Sequence, residues 1–272
     1  MKDTVLNFAA NLSWMFKEWD FLDRFAAAAD AGFSAVECLF PYDHTPDAIA
    51  RQLVRHKLKL VLINAPPGDL SEGERGLASL PDRQDEFRAS VETALEYARA
   101  TGVARVHLMS GLAFGDPAHA LATFREAIRF ACEAAAGDGI DVMIEPINNR
   151  DVPGYLMNDF GLAEQLIAEL KLPNLKLQFD IYHRQVIHGE VTDGLKALMP
   201  ITGHIQISSV PSRHEPMSGA LDDLAILRAI DRLGYAGFIG CEYNPAAGTL
   251  AGLGWRERVS GPAPAAAQLS RQ

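Results

Sequence analysis

The sequence is poor in cysteine, has fewer basic than acidic residues and lacks a long apolar run. Its three cysteines, Cys38, Cys132 and Cys241, have no short spacing, so neither a disulfide framework nor a cysteine-rich zinc site is predicted. The net charge of −10 speaks against binding to nucleic acid or to anionic membranes. No stretch approaches a membrane span, and MKDTVLNFAANLSWMFKEWD lacks the apolar core of a signal peptide. We therefore expect a cytoplasmic protein.

Strand-like and helix-like segments alternate along the chain, which predicts one (β/α)8 TIM barrel. The predicted strands are Val5–Asn11, Ala35–Leu39, Lys59–Ala65, Arg105–Ser110, Asp141–Ile147, Leu175–Tyr182, Gly203–Ser209 and Phe238–Tyr243. The predicted helices are Trp19–Gly32, Thr45–Lys57, Gln84–Thr101, Asp116–Gly137, Gly161–Leu170, Val186–Leu198 and Asp222–Gly234, followed by a weak last helix. We assign residues 1–259 to the barrel and 260–272 to a disordered tail. An open doubly wound sheet is the alternative, but it usually has a glycine-rich turn where this chain has NLSWMF.

Oxygen-bearing side chains stand at the ends of four predicted strands in the second half of the chain. They are Glu145, Asp180, Gln206 and Glu242. Residues two apart on a strand share a face, so these side chains face the barrel axis while their apolar neighbours face the helices. Three converging carboxylates repel each other unless a cation holds them. Oxygen ligands favour Mg²⁺ or Mn²⁺ over zinc, although carboxylates alone do not exclude zinc or cobalt. The other interpretation is that these residues cap helices or pair with arginines at the rim.

Three basic side chains near the strand ends are candidates for substrate binding. His183 lies just beyond the sixth strand and Arg213 just beyond the seventh, while Arg75 lies in the GERG segment after the third. Arginine offers a planar fork for a carboxylate, and histidine offers a donor for a substrate oxygen. The alternatives are a loop ion pair for Arg213, a solvated loop charge for Arg75 and an indirect, supporting role for His183. We interpret His204 as a hydrogen-bonded core histidine and Glu37 as a supporting carboxylate.

Eight short segments occur along the chain in a distinctive order. They are ANLSWMF, FPYDH, GDLSEGERG, IEPIN, FDIYH, HIQIS, RHEP and GCEYNPAAGTLAGLGW. Together they resemble the hydroxypyruvate isomerase family, a group of xylose-isomerase-like barrels whose neighbours include 2-oxo-tetronate isomerases and ketose 3-epimerases. The resemblance covers residues 5–256 and rests on the joint occurrence of the segments in order.

The resemblance implies a metal-dependent active site. The implied ligands of the divalent metal are Glu145, Asp180, Gln206 and Glu242. Glu145 and Glu242 would also form the acid/base pair, and His183 and Arg213 match the family's histidine and arginine. The sequence departs from the family pattern near the site mouth, and the departures bear on the substrate more than on the metal. They are His107 at the end of the fourth strand, Met217 after RHEP, Asn244 after CEY and Leu250 after the Gly-Thr pair.

The expected reaction is an aldose–ketose type isomerisation of a small 2-keto acid. Hydroxypyruvate would become tartronate semialdehyde through an enediolate, with the metal gripping two substrate oxygens. Isomerisation of a four-carbon 2-oxo acid and 3-epimerisation of a ketose are alternatives on the same site. A metal-dependent phosphodiesterase or nuclease, or a non-catalytic sugar-acid binder, would belong to a different class. We expect a small-molecule substrate, and the sequence leaves a homo-oligomer open.

Overall fold

The structure, a computed structural model, describes residues 6–113 and 115–260. Its eight strands are parallel and close into a barrel in sequence order, as the sequence predicts. The strands are β1 (Asn7–Asn11), β2 (Ala35–Cys38), β3 (Lys59–Asn64), β4 (Arg105–His107), β5 (Asp141–Ile144), β6 (Leu175–Asp180), β7 (Thr202–Ile207) and β8 (Phe238–Cys241). Of the tail predicted for residues 260–272, residues 261–272 lie outside the described part of the chain.

The helices surround the barrel and begin close to the residues that the sequence signals indicate. They are α1 (Asp23–Asp30), α2 (Pro46–His56), α3 (Gln84–Thr101), α4 (Pro117–Ala136), α5 (Phe160–Leu170), α6 (Ile181–Ile187), α7 (Val191–Leu198), α8 (Asp223–Arg232) and α9 (Trp255–Ser260). Proline opens α2 and α4, where a missing N–H costs nothing, and the side chains of Thr45 and Asp116 cap them. Within the described residues, none of the helices combines the length and apolar character that crossing a membrane requires.

One predicted helix is wrong. The segment predicted as Val186–Leu198 belongs to two helices, α6 and α7, because the chain turns between them at Gly189 and Glu190. Both residues have positive φ angles, 68° and 44°, which an α-helix cannot contain. The strand β1 ends at Asn11 as predicted, but the other seven strands end one to three residues early. Their last predicted residues belong to the segments at the barrel mouth, and after β6 they begin α6.

The main hydrophobic core lies between the strands and the helices, whereas much of the barrel interior is polar. A small apolar cluster of Ala9, Ala35 and Val61, with Phe238 beside it, lies apart from that core. Further along the strands, the buried polar side chains Asn11, Glu37, Gln178, His204 and Gln206 hydrogen-bond to one another. A (β/α)8 barrel is usually filled with branched apolar side chains. A polar filling is costly unless every group has a partner, so it points to a function at this end of the barrel.

The loops after β3 and β4 touch backbone to backbone. Gly76 and Gly111 both have positive φ angles, 123° and 89°. A methyl group on Gly76 would overlap the Met109 carbonyl, and one on Gly111 would overlap the Gly76 carbonyl. The loop after β4 is joined in turn to the loop after β5 by an isolated bridge between Leu112 and Tyr155. These contacts tie three neighbouring loops of the mouth into one unit.

Candidate active site

The structure brings the four strand-end residues together at the C-terminal mouth of the barrel. All four are at most 5% exposed. Arg213 Nη2 donates to Glu242 and lies 3.3 Å from Asp180 Oδ2. Gln206 Nε2 lies 3.3 Å from Glu242 Oε1, and an oxygen of Glu145 lies within 4.8 Å of an oxygen of Asp180. The mouth therefore holds three carboxyl groups and one amide within a few ångströms.

Asp180 has two roles, because it is both the last residue of β6 and the N-cap of α6. Its Oδ1 accepts hydrogen bonds from the backbone N–H groups of Tyr182, at 2.7 Å, and His183, at 3.2 Å. This capping fixes the rotation of the carboxylate. Oδ2 is then left pointing toward Arg213 and the cluster.

A second layer of polar side chains lies beneath the cluster, centred on Glu37 of β2. Glu37 Oε1 accepts from Asn11 Nδ2 at 2.9 Å and from Gln206 Nε2 at 2.8 Å. Its Oε2 lies 2.7 Å from His204 Nε2. His204 is thus the hydrogen-bonded core histidine that the sequence predicts, and Glu37 touches one member of the cluster directly.

Arg213 is held in place by two aromatic rings. Its guanidinium carbon lies 4.7 Å from the ring centre of Trp14 and 4.9 Å from that of Tyr182. The backbone of Arg213 is left-handed, with a φ of 53°, and its carbonyl accepts from Asn244 N–H at 2.8 Å. Stacking on two rings and ion pairing to two carboxyl groups leave this side chain little freedom. Among the described residues, its buried Nε has no hydrogen-bond partner.

Burial raises the pKa values of the clustered carboxyl groups. Burial raises the pKa of Glu242 to about 8, against the opposing charge of Arg213. Burial, and then the charges of Glu242 and Asp180, raise the pKa of Glu145 well above its ordinary value. Burial also raises the pKa of Asp180, although Arg213 again opposes the shift. Without a cation, such a cluster holds protons at neutral pH.

The raised pKa of Glu242 predicts a pH dependence of stability in the metal-free protein. Because the folded-state pKa lies above the ordinary value of 4.5, the contribution of Glu242 to stability is full below pH 4.5 and is lost as the pH rises through 8. We expect Glu242→Gln to stabilise the metal-free protein increasingly from pH 5 to pH 8, by at most about 1.4 kcal/mol per pH unit. Urea unfolding in EDTA measures this difference. An equal effect at pH 5 and pH 8 would contradict it.

His183 faces the cluster as a hydrogen-bond donor. Its Nδ1 accepts the backbone N–H of Asn148 at 3.2 Å. Burial lowers the pKa of His183 well below its usual range, so the ring is neutral and its hydrogen lies on Nε2. Nε2 lies 3.9 Å from Asp180 Oδ2. A nitrogen that carries a hydrogen cannot bind a metal, so this arrangement suits donation to a substrate oxygen better than metal ligation.

His107, at the end of β4, lies beside the cluster, whereas from the sequence it is named only as a departure from the family pattern near the site mouth. It is 1% exposed, and neither ring nitrogen has a hydrogen-bond partner among the described residues. Its Nδ1 lies 3.6 Å from Glu145 Oε2, and burial lowers its pKa to about 3. The signal was present, because Arg105 and His107 alternate with the apolar Val106 and so share the inward face.

The remaining predicted residues are not brought into the cluster. Arg75 donates to the carbonyls of its own loop, Leu70 at 3.4 Å and Glu74 at 2.6 Å, and its role in substrate binding stays a prediction. The side chains of Asn244 and Leu250 are exposed. The departures from the family pattern at these two positions therefore lie on the outer rim.

The donor set fits a divalent cation. Within residues 6–113 and 115–260, Arg213 is the only lysine or arginine within 4.0 Å of the three carboxyl groups. Glu145 Oε1 is buried without a hydrogen-bond partner in the same part of the chain. Excess buried negative charge and an unpaired carboxylate oxygen both call for a cation, and carboxylate and amide oxygens are ligands that suit Mg²⁺ or Mn²⁺.

Fold and site together define a class of protein, the (β/α)8 barrels that gather acidic residues at the C-terminal ends of their strands. Over residues 25–259 the chain matches the family described as xylose isomerase-like TIM barrel. The chain belongs to this family, within the group that contains hydroxypyruvate isomerases and 2-oxo-tetronate isomerases, and it is an isomerase.

Three relatives illustrate this placement. The 2-oxo-tetronate isomerase of Cupriavidus necator is 51% identical over 250 residues, which cover 91% of this chain and 96% of the relative. The hydroxypyruvate isomerase of Escherichia coli is 40% identical over 257 residues, covering 93% and 99%. A crystal structure from Brucella melitensis, named as an AP endonuclease of family 2, is 44% identical, covers 93% of this chain and 98% of its own, and superposes with a TM-score of 0.91.

Proposed function

We propose that the protein is a divalent-metal-dependent isomerase that moves the carbonyl group of a short 2-oxo acid to the neighbouring carbon. The observation that carries the proposal is the buried cluster of Glu145, Asp180, Gln206 and Glu242, with Arg213 fixed against two of its carboxyl groups. The cluster supplies metal ligands and acid/base groups in one place. Arg213 supplies a positive group for an acidic substrate on an otherwise acidic protein.

The reaction needs one proton removed and one returned. One of Glu145 and Glu242 removes the proton from the hydroxyl-bearing carbon, which gives an enediolate, and a proton then returns to the former carbonyl carbon. A bound divalent cation would polarise the ketone and hydroxyl oxygens and so lower the cost of this step. In the metal-free protein, burial raises the pKa values of both glutamates, so both groups can hold a proton at this position. Atoms balance within the substrate, so no further reactant is needed.

Two substrates fit this chemistry. Hydroxypyruvate, which would give tartronate semialdehyde, is the acid for which the matched enzyme from E. coli is named. The four-carbon acid 2-oxo-tetronate is the second candidate, because the relative from C. necator with the higher identity, 51%, is named for it. In either case the acid group would bind Arg213, and His183 Nε2–H would donate to a substrate oxygen.

Replacing Arg213 tests whether this side chain binds the substrate carboxylate or orients the carboxyl groups of the cluster. We expect Arg213→Ala to raise KM for either acid about tenfold to a hundredfold, since hydrogen bonds to charged groups contribute about 1.5–3 kcal/mol. The KM of Arg213→Lys should lie between those of the unsubstituted protein and Arg213→Ala, because lysine keeps the charge but loses the planar fork. The matched control substrate is dihydroxyacetone, which has no carboxylate and should show a much smaller penalty. An equal penalty for dihydroxyacetone would assign Arg213 to orienting Glu242 and Asp180 instead.

An NMR assay in D₂O tests the proposed function. The purified protein is incubated with hydroxypyruvate or 2-oxo-tetronate, in the presence of Mg²⁺ or Mn²⁺ and in the presence of EDTA. We expect metal-dependent product with solvent deuterium at the carbon that gains the proton. Deuterium exchange without product would support the proton transfer but show that the tested acid is not the substrate. No exchange with either acid would reject the proposal and make ketose 3-epimerisation the next test.

The Brucella structure is named for a nuclease class, and the site here does not support that activity. Among the described residues, the single group of at least three potential metal-binding His, Cys, Asp or Glu side chains is Glu145, Asp180 and His183. One histidine beside two carboxyl groups differs from a site that gathers several histidines around multiple zinc ions. The net charge of −10 also disfavours a phosphate backbone. Cleavage of abasic DNA by the purified protein would overturn this assignment, and acid binding without turnover would indicate a non-catalytic binder.

A further inference from the structure

We propose that Glu37 fixes the direction of the Gln206 side-chain amide and thereby aims Gln206 Oε1 at the cation site. Glu37 would be a positioning residue, because it reaches the metal only through Gln206. The inference rests on the metal-dependent isomerase proposed above.

The argument begins with the two ends of a glutamine amide, which are nearly equal in size but opposite in function. Only the oxygen can ligate a cation, whereas the NH₂ group repels one. Rotation of the amide by 180° exchanges the two ends with little change in shape. A glutamine ligand therefore needs a neighbour that accepts one orientation and rejects the other.

Glu37 is such a neighbour. It is fully buried, and both of its oxygens face donors: Asn11 Nδ2 and Gln206 Nε2 on Oε1, and His204 Nε2 on Oε2. A carboxylate only accepts hydrogen bonds, so the end of Gln206 that touches it must be the NH₂ end. The reversed amide would press its oxygen against the carboxylate in a buried setting, where an unpaired polar contact is costly.

The opposite end of Gln206 is then directed away from Glu37. Its Oε1 accepts from Gln178 Nε2 at 2.7 Å. A carbonyl oxygen has two lone pairs, so one remains for a cation. The Nε2 of Gln206 lies 3.3 Å from Glu242 Oε1, so the amide as a whole stands at the edge of the carboxyl cluster.

Gly240 of β8, the strand beside β7, leaves room for this arrangement. A methyl group at Gly240 would overlap the Glu37 carboxylate. Gly240 is also the strand partner of Gln206. The missing side chain in FIGCEY thus lets a carboxylate from β2 reach across the barrel to a residue on β7.

A double-variant cycle on the full chain tests the inference. The readout is the affinity for Mn²⁺, obtained from the electron paramagnetic resonance signal of the unbound ion. Glu37→Gln removes the acceptor that distinguishes the two amide ends, and we expect it to weaken Mn²⁺ binding about 10- to 100-fold. Gln206→Glu alone should also weaken it, because it buries two carboxylates against each other. The combination E37Q/Q206E should restore affinity to within a few-fold of the unsubstituted protein. Its carboxylate at position 206 has an oxygen at either end, and its new amide at position 37 can donate to it.

Two further variants separate orientation from charge. Glu37→Asp keeps the charge but withdraws the carboxylate by one methylene, so we expect a loss similar to that of E37Q. Glu169→Gln, on the exposed side of α5, removes one negative charge far from the site and should leave affinity unchanged. Thermal unfolding of each variant shows that it is folded.

The outcomes distinguish this inference from the proposed function. If E37Q binds Mn²⁺ within twofold of the unsubstituted protein, or if E37Q/Q206E binds no better than E37Q, Glu37 does not orient Gln206. Full affinity in Glu37→Asp together with loss in E37Q would assign Glu37 to charge alone and also overturn the inference. If the unsubstituted protein does not bind Mn²⁺, the metal-dependent function and this inference both fail.

Discussion

Glu242→Gln is expected to lower kcat about 10³-fold, within the range that general acid–base groups contribute. Glutamine has almost the same shape as glutamate, but it cannot take up the substrate proton. The measurement is kcat for the better acid substrate, together with the rate of deuterium incorporation from D₂O.

The matched control for this experiment is Glu169→Gln, which makes the same chemical change on the surface, where Glu169 pairs with Arg125. Its kcat should equal that of the unsubstituted protein. A Glu242→Gln variant that keeps kcat within tenfold would mean that another group moves the proton. Glu145 and His107 would then be the next residues to replace.

Removing divalent metal should abolish turnover, and adding it back should release protons. At pH 7 a carboxyl group with a pKa of about 8 is mostly protonated, and the pKa of Glu145 is raised as well. A cation binds carboxylates, so metal binding must expel these protons. Metal affinity should therefore rise with pH up to about 8, by about tenfold per pH unit for each proton released.

Two measurements check this expectation. EDTA-treated protein should lose activity at least about 100-fold and regain it with Mg²⁺ or Mn²⁺. Addition of Mn²⁺ to metal-free protein in weak buffer, followed with a pH indicator, should release about one proton or more per site at pH 7. Full activity in EDTA would contradict the metal-dependent function. Metal binding without proton release would show that the carboxyl groups are already ionised in the metal-free protein.

The parts of the site that lie at strand ends could be predicted from sequence, because they depend on local patterns. Alternation along each strand places Glu145, Asp180 and Glu242 on the inner face, and the order of β–α units places that face in a barrel. The same patterns failed for the helix predicted at Val186–Leu198. There the apolar spacing continues through Gly189, and only the backbone shows that the chain turns.

The contacts that orient these residues could not be predicted, because they join distant parts of the chain. Glu37 and Gln206 are 169 residues apart, and no local rule relates their side chains. The stacking of Trp14 and Tyr182 on Arg213 likewise depends on barrel closure, which brings β1 beside β8. Sequence reasoning identified which groups are present at the mouth, and the three-dimensional structure showed which of them hold the others in place.

The contact between Gly76 and Gly111 limits how this barrel could be redesigned for another substrate. Two loops that meet through bare backbone cannot be lengthened or given larger side chains at that point without separating them. The side of the barrel mouth formed by the loops after β3, β4 and β5 is therefore fixed. In the segment from Asn244 to Leu250, the exposed side chains of Asn244, Ala246, Ala247 and Leu250 can be changed, whereas Thr249 is buried and hydrogen-bonded to Glu18. Libraries that aim to lengthen or shorten the accepted acid should vary this segment first.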